Sequence, residues 1–337
     1  MPIALLWLQL AGVTIIIVTA SHFLAKSADI ISFKTGLGQS LIGVVLLATA
    51  TSLPEFGTGV SSVTFFDAPD LAAGDAFGSN LLNLLIIGLL DLISRKDPIL
   101  TMVNATAVLM GALGIGMITI AVSGIVIHSM TTTTSTWPIS PVSIILIIAF
   151  VFSVFMIYRF EKTQDDDTEI EVNSEYAQVS GTAATMMFLA SAGVILGSAI
   201  WLAQTGDNLA REMGWEASFV GTQFLAISTS LPELATAIAA IRLNAPALAI
   251  SNLLGSNLFN MGFVLFVDDV AFTDGVLWSN VSQIHTLTGI IAVIMTTVVI
   301  VSLIHRFRTR PNKYWTFEAA ALIALYIVAS LLVFQLS

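Results

Sequence analysis

The 337-residue chain has no cysteine. That absence excludes a disulfide framework and any thiolate metal site. Charge is nearly as scarce: only 10% of residues are Asp, Glu, Lys or Arg, against roughly 25% in an ordinary soluble domain. Hydrophobic residues make up 56% of the chain and mean hydropathy is +0.92, the composition of an integral membrane protein. Period-two alternation is missing, and the apolar runs are about 20 residues long, so the spans are helices and not barrel strands. Basic residues are the rarest charges. Twelve Lys and Arg against 22 Asp and Glu leave a net charge of -10, which speaks against a nucleic-acid partner.

What is present is a series of ten apolar spans, at residues 3–24, 37–65, 71–93, 101–127, 141–159, 181–205, 215–241, 245–267, 283–305 and 315–336. The first lacks a basic leading segment and is longer than a signal-peptide core, so it reads as a span and not as a cleaved leader. Lys26, Lys34, Arg95, Lys96, Arg159, Lys162, Arg242, Arg306, Arg308, Arg310 and Lys313 all fall on one side of this scheme, with only Arg211 opposite. By the positive-inside rule the odd-numbered loops are cytoplasmic and both termini are extracellular. A polar segment from Glu161 to about Val179 joins the halves, and six of its acids lie between Asp165 and Glu175. It is too short for a domain and reads as a solvated linker.

One stretch stands out against this apolar background. Thr51-Ser-Leu-Pro-Glu55 lies inside the second span, and it returns as Thr229-Ser-Leu-Pro-Glu233 in the seventh. A carboxylate at the centre of a lipid-embedded helix costs about 2.5–3.5 kcal/mol on insertion scales. A proline within a helix removes a backbone bond as well. Sliding the chain by 178 residues superposes Leu24–Thr58 on Leu202–Thr236 with 14 identities in 35 positions: Leu24, Ala25, Asp29, Gly36, Ser40, Gly43, Leu47, Ala48, Thr51 to Glu55, and Thr58. A slide of 177 then superposes Gly78-Ser-Asn80-x-x-Asn83 on Gly255-Ser-Asn257-x-x-Asn260. Each copy holds five spans. An odd number inverts the second copy in the membrane, the plan of many secondary transporters. The expected organisation is a first repeat at 1–160, an acidic cytoplasmic linker at 161–180 and a second repeat at 181–337.

The residue types define a chemistry. Thr51, Ser52 and Glu55 share a helical face, and Pro54 leaves the Ala50 carbonyl without its usual donor; Thr229, Ser230, Glu233 and Pro232, with the Ser228 carbonyl, repeat the arrangement. Ser79 and Asn83, like Ser256 and Asn260, are further oxygen donors at i,i+4 spacing, and Gly74, Gly78 and Gly255 permit close helix approach. An all-oxygen pocket suits hard cations, Na+ and Ca2+ above all, and not transition metals. Facing each other near the midplane, Glu55 and Glu233 would bind one cation jointly. A lone Gly-Ser-Asn could merely join neighbouring helices. Its recurrence at equal distance from each proline–glutamate pair favours a site.

These paired motifs resemble those of the cation/Ca2+ exchanger superfamily, and most closely its prokaryotic sodium/calcium exchangers. The family pattern is Gly-Thr-Ser-x-Pro-Glu followed by Gly-Asn-x-x-Gly-Ser-Asn-x-x-(Asn or Asp), once per repeat. The resemblance implies that Glu55 and Glu233 bind Ca2+ and share in binding Na+. It implies hydroxyl or backbone ligands at Thr51, Ser52, Thr229 and Ser230, sodium ligands at Ser79 and Ser256, carbonyl ligands at Ala48 and Ala226, and a central asparagine at Asn83. The chain departs from the pattern at Ala50 and Ser228, where the family has glycine. It departs again at Asp75, read first as a helix-end or gate residue and second as an added cation ligand, where Ser251-Asn252 holds the matching place in the second copy. Asn260 stands where exchangers of this group often carry aspartate, leaving two certain carboxylates.

The expected function is exchange of Na+ for Ca2+ across the cell membrane by alternating access. Its partners are those ions and the lipid bilayer; no resident cofactor, obligate protein partner or enzymatic activity is expected. One Ca2+ neutralises both glutamates, but so do two protons, so Ca2+/H+ antiport is chemically open on the same residues. The many hydroxyl and carbonyl donors favour Na+. Intramembrane proteolysis is disfavoured because the Gly-x-Gly-Asp pattern is absent. Asp29 and Asp207 read as caps at loop edges, Glu318 as an interface residue beside Tyr314 and Trp315, and His22, His128, His285 and His305 as scattered.

Overall fold

The computed structural model describes residues 2–35, 48–93, 99–102, 105–130, 139–162, 179–242, 245–305 and 316–336. Outside them lie residues 36–47 of the second span and its loop, the acids from Asp165 to Glu175, and Arg95, Lys96, Arg306, Arg308, Arg310, Lys313, Tyr314 and Trp315. The described chain is helical throughout, with no strand among the described residues. In order, the helices are α1 (Ile3–Thr35), α2 (Leu53–Phe65), α3 (Pro69–Ile93), α4 (Ala105–Met130), α5 (Pro141–Lys162), α6 (Gly181–Met213), α7 (Ala217–Arg242), α8 (Pro246–Ala271), the single turn α9 (Leu277–Asn280), α10 (Ile284–His305) and α11 (Phe317–Leu336). Nine of them are long and apolar enough to cross a membrane among the described residues. The tenth expected span is described from residue 48 onward, as one helical turn, a break at Ser52 and then α2.

Proline starts α3, α5 and α8, where its fixed φ suits a first helical turn and its missing N–H costs nothing. The outer helices carry apolar side chains on their exposed faces: Leu8 on α1, Ile148 and Val151 on α5, Leu189 on α6 and Leu331 on α11. An exposed apolar face of this extent is what lipid covers. α3 and α8 are the most enclosed helices and form the centre of the bundle. α2 and α7 pack beside them, α4 and α10 pack against each other on one flank, and α1 lies along α6 on the other.

Two acids tie the bundle ends together. Asp91, near the end of α3, accepts from the Ile99 amide at 2.9 Å and the Thr316 hydroxyl at 2.6 Å. Asp269, near the end of α8, accepts from the Leu277 amide at 2.8 Å, the Ser140 amide at 2.9 Å and the Ser143 hydroxyl at 2.7 Å. Each closes the loop eight residues ahead and anchors the start of a distant helix. By contrast, Asp29 and Asp207 do not cap loops. Both lie within the 33-residue helices α1 and α6, which run further than their apolar stretches suggested, and Asp207 pairs with Arg211 at 3.1 Å.

Candidate cation site

The polar residues singled out in the sequence converge between α2, α3, α7 and α8. Thr51, Ser52, Glu55, Ser79, Asn83, Thr229, Ser230, Glu233, Ser256 and Asn260 are all buried. Burying so many polar groups is tolerable only if they satisfy one another or a guest.

They satisfy one another across the two copies. The Ser52 hydroxyl donates to Glu233 Oε1 at 3.3 Å, and the Ser230 hydroxyl donates to Glu55 Oε1 at 3.0 Å. The Thr51 and Ser256 hydroxyls lie 3.5 Å apart, and those of Thr229 and Ser79 lie 3.3 Å apart. Ser256 also donates to Glu233 Oε1 at 3.4 Å. Between α3 and α8, Asn83 Nδ2 donates to Asn257 Oδ1 at 2.9 Å, and Asn260 Nδ2 donates to Asn80 Oδ1 at 3.4 Å. The Asn80 and Asn257 side chains in turn donate to each other's backbone carbonyls at 3.4 and 3.3 Å. Apart from the Ser256–Glu233 bond, each of these contacts in one direction has its counterpart in the other.

What this network leaves over is equally regular. Glu55 Oε2, Glu233 Oε2, Asn83 Oδ1 and Asn260 Oδ1 are buried with no hydrogen-bond partner among the described residues. All four are acceptors. The amide nitrogens of Asn83 and Asn260 are spent between helices, and each Oδ1 is left without a donor among the described residues. Two carboxylate oxygens and two amide oxygens without donors form a donor set for a hard cation, which prefers oxygen and needs no nitrogen or sulfur.

Backbone geometry contributes too. Ser52, with φ -88° and ψ 9°, is non-helical, and α2 restarts with Pro54 in its first turn. The Ala48 carbonyl receives the Ser52 amide at 2.9 Å and the Thr51 hydroxyl at 3.2 Å. Ala226 O is 3.3 Å from Thr229 Oγ1. The expected break at Pro232 does not appear: helix continues from Ala226 to Arg242 through the proline. The irregularity sits upstream as a π-turn at Gly221–Leu225, and a second π-turn, Asn260–Val264, interrupts α8. Wide turns of this kind absorb an extra residue and rotate the helix beyond them.

Gly78 is required by close approach. A Cβ there would come within 2.5 Å of the Thr222 carbonyl and 2.7 Å of its Cα, so α3 and α7 cross almost backbone to backbone. Gly255 is freer, with only the Ala48 side chain at 3.3 Å from such a Cβ.

Three residues of this region were missed or misread in the sequence. Asn80 and Asn257 lie in the Gly-Ser-Asn motif but act as the struts that orient Asn260 and Asn83. Asp75 is no helix-end residue. It sits within α3, buried, one turn before Ser79, and accepts from the Thr229 hydroxyl at 2.9 Å. Its repeat partner Asn252 donates instead to Thr236 at 3.2 Å, so the copies diverge here. The i,i+4 spacing of Asp75 and Ser79 was the available signal.

Comparison with known proteins bears on family and fold. The family model described as sodium/calcium exchanger protein matches residues 5–164 and 183–335. The inner membrane protein YrbG of Escherichia coli (strain K12) is 28% identical over 270 residues, 77% of each chain. Among solved structures, the H+/Ca2+ exchanger CAX superposes with a TM-score of 0.68 at 14% identity, covering 98% of this chain and 86% of the other. The sodium-calcium exchanger NCX_Mj superposes with a TM-score of 0.60 at 18% identity, covering 97% and 98%. At these identities the two structures are alike in fold.

Proposed function

The chain belongs to the sodium/calcium exchanger protein family, and on that premise we propose that it exchanges Na+ for Ca2+ across the cell membrane by alternating access. The transported cation binds between Glu55 and Glu233. Thr51, Ser52, Thr229 and Ser230, the serines Ser79 and Ser256, the amide oxygens of Asn83 and Asn260, and the carbonyls of Ala48 and Ala226 supply the other ligands. The observation that carries this reading is the reciprocal network that leaves four buried acceptor oxygens, two of them carboxylate, without donors.

The coupling rests on electrostatics. Two carboxylates in a low-dielectric bundle repel each other strongly when both are ionised and bare. One Ca2+ cancels their charge, and so do monovalent cations bound in its place. The bare, doubly charged site is too costly to carry across, so the protein changes access only when loaded, and exchange replaces leak. The hydroxyl and carbonyl oxygens offer Na+ the coordination it needs.

The architecture proposed around this site is ten spans in two inverted five-helix repeats, 1–160 and 181–337. They are joined by a cytoplasmic linker at 161–180, and both termini are extracellular. The exchange of hydrogen-bond partners between copies supports the inversion, as do the equal lengths of α1 and α6. Such repeats rock about a site held at their interface.

A second reading, Ca2+/H+ exchange, is favoured by one observation: with asparagine at both 83 and 260, two protons are enough to discharge the two glutamates. The experiment is Ca2+ uptake into proteoliposomes driven by an outward Na+ gradient or, separately, an outward proton gradient. Uptake under the Na+ gradient at uniform pH is expected. Uptake under the proton gradient alone would transfer the assignment to Ca2+/H+ exchange, and uptake under neither would overturn both.

A further inference from the structure

Asp268 and Asp269 are consecutive, both wholly buried, and differ completely in their surroundings. Asp269 accepts three hydrogen bonds from Leu277, Ser140 and Ser143. Asp268 accepts none, and both its oxygens are without a partner among the described residues. One acid is structural; the other has no structural explanation.

The internal repeat sharpens the contrast. The slide of 177 residues places Asp91 on Asp268. The structure places it on Asp269, since Asp91 and Asp269 each close the loop eight residues ahead and anchor a distant helix start. The π-turn at Asn260–Val264 accounts for the extra residue. Asp268 therefore corresponds to Leu90, a buried apolar residue, and has no counterpart acid in the first copy.

Its neighbourhood has changed in step. The carboxylate of Asp268 lies over Gly59 of α2, where a Cβ would come within 2.6 and 2.7 Å of its two oxygens. In the second copy the position of Gly59 is Ala237, and that of Ser62 is Ala240, both buried and apolar. Gly59, Ser62 and Asp268 thus replace Ala237, Ala240 and Leu90. The Ser62 and Thr58 hydroxyls are also buried without partners. Glu55, Gly59 and Ser62 follow one another at i, i+4 and i+7, a single stripe of α2 that leads away from the paired glutamates. By helical rise, Gly59 is about 6 Å beyond Glu55 and Asp268 about 12 Å beyond Asn260 along their helices, inside the roughly 15 Å half-thickness of a bilayer core.

We propose that Asp268, with the hydroxyl of Ser62, forms a second cation station on one side of the paired-glutamate site. A Na+ or Ca2+ ion would pass through it between that site and the membrane face at which α2 and α8 end. That face is the extracellular one in the orientation proposed above. The station rests on the exchanger reading for its direction of traffic. Its ligands exist in only one of the two copies, so it serves only one of the two faces.

This asymmetry gives the test. Ca2+ uptake is measured in right-side-out and in inverted membrane vesicles carrying the wild type or Asp268→Asn. In the variant the half-saturating Ca2+ concentration is expected to rise by about tenfold, the worth of one charged ligand, at the face where α2 and α8 end. At the opposite face it should stay within about twofold, and thermal stability should not fall, since the lost charge had no partner. An unchanged value at both faces, an equal rise at both, or a rise at the opposite face alone would overturn the station. If Asp268→Asn does not fold, Ser62→Ala decides by the same face-specific criterion. If the wild type shows no gradient-driven uptake, the exchanger reading fails. The station is then decided by Ca2+-dependent thermal stabilisation of the wild type and the variant, where identical titrations overturn it and a reduced shift in the variant supports it.

Discussion

Glu55 and Glu233 share one design: each carboxylate receives a serine hydroxyl from the opposite copy on Oε1 and keeps Oε2 free. Neither has a cationic side chain beside it in the described structure, so a bound cation is their natural counter-charge. Glu55→Gln and Glu233→Gln should each reduce Ca2+ uptake by at least about a hundredfold, because a charge-assisted ligand is lost at a fully desolvated site. Stability without Ca2+ should hold or rise, and differential scanning fluorimetry with and without Ca2+ separates the two effects. Asn260→Asp should act in the opposite direction and tighten Ca2+ binding by about tenfold, as a third carboxylate joins the ligand set. An unchanged or weaker affinity, read by equilibrium titration, would show that Asn260 does not face the ion. At this scale the sequence was highly legible. Every hydroxyl, carboxyl and amide group picked out by repetition and spacing lies in the cluster, whereas the carbonyls of Ala50 and Ser228, singled out from the prolines, are not among its hydrogen-bonded groups. Asp75 was misread because a resemblance marks a departure without saying what the new side chain touches. Asp268 was missed because in sequence it looks like the repeat partner of Asp91.

Nine of the ten expected spans are found as membrane-length helices among the described residues, and the limits of α1 and α6 exceed their apolar runs. The helices were not legible where backbone irregularity decides the geometry. Proline in both copies suggested two equivalent breaks, yet Ser52 interrupts helix and Pro232 does not. The π-turns at Gly221–Leu225 and Asn260–Val264 leave no composition signal, because an extra residue in a turn is a property of packing and not of residue type. The crossing of α3 and α7 was better foretold, through Gly78. Gly78→Ala should cost about 1–3 kcal/mol of stability, since the new methyl meets the Thr222 backbone, which cannot rotate away as a side chain could. Gly255→Ala should cost much less, having only the Ala48 methyl at 3.3 Å to displace. Thermal denaturation of both variants in detergent checks the difference. Equal destabilisation would mean that the crossing is looser than the structure has it.

Across the molecule, residues from both copies of the repeated sequence motif meet in one buried polar cluster. Ser52 serves Glu233 and Ser230 serves Glu55, so the halves are bound to each other through residues of the proposed site. The meeting of the two motifs was legible in the sequence because the repeat survives in the motif residues, and the proposed inverted arrangement rests on the expected segregation of eleven of the twelve basic residues to one side. The native absence of cysteine makes the orientation directly testable. Single cysteines placed at Pro2 and at Gln335 should both react with a membrane-impermeant maleimide added to intact cells, while one at Lys162 should react only after permeabilisation. Labelling of all three from outside would contradict the inverted arrangement.

The central claim is that Glu55 and Glu233 hold one Ca2+ between them and that Na+ competes for the same oxygens. Equilibrium Ca2+ binding to the purified protein tests it most directly, with the wild type, Glu55→Gln and Glu233→Gln titrated at several Na+ concentrations. The prediction is a Na+-sensitive Ca2+ site in the wild type that disappears in either single variant. If one variant alone retained wild-type Ca2+ affinity, the ion would not be shared and the account would be wrong.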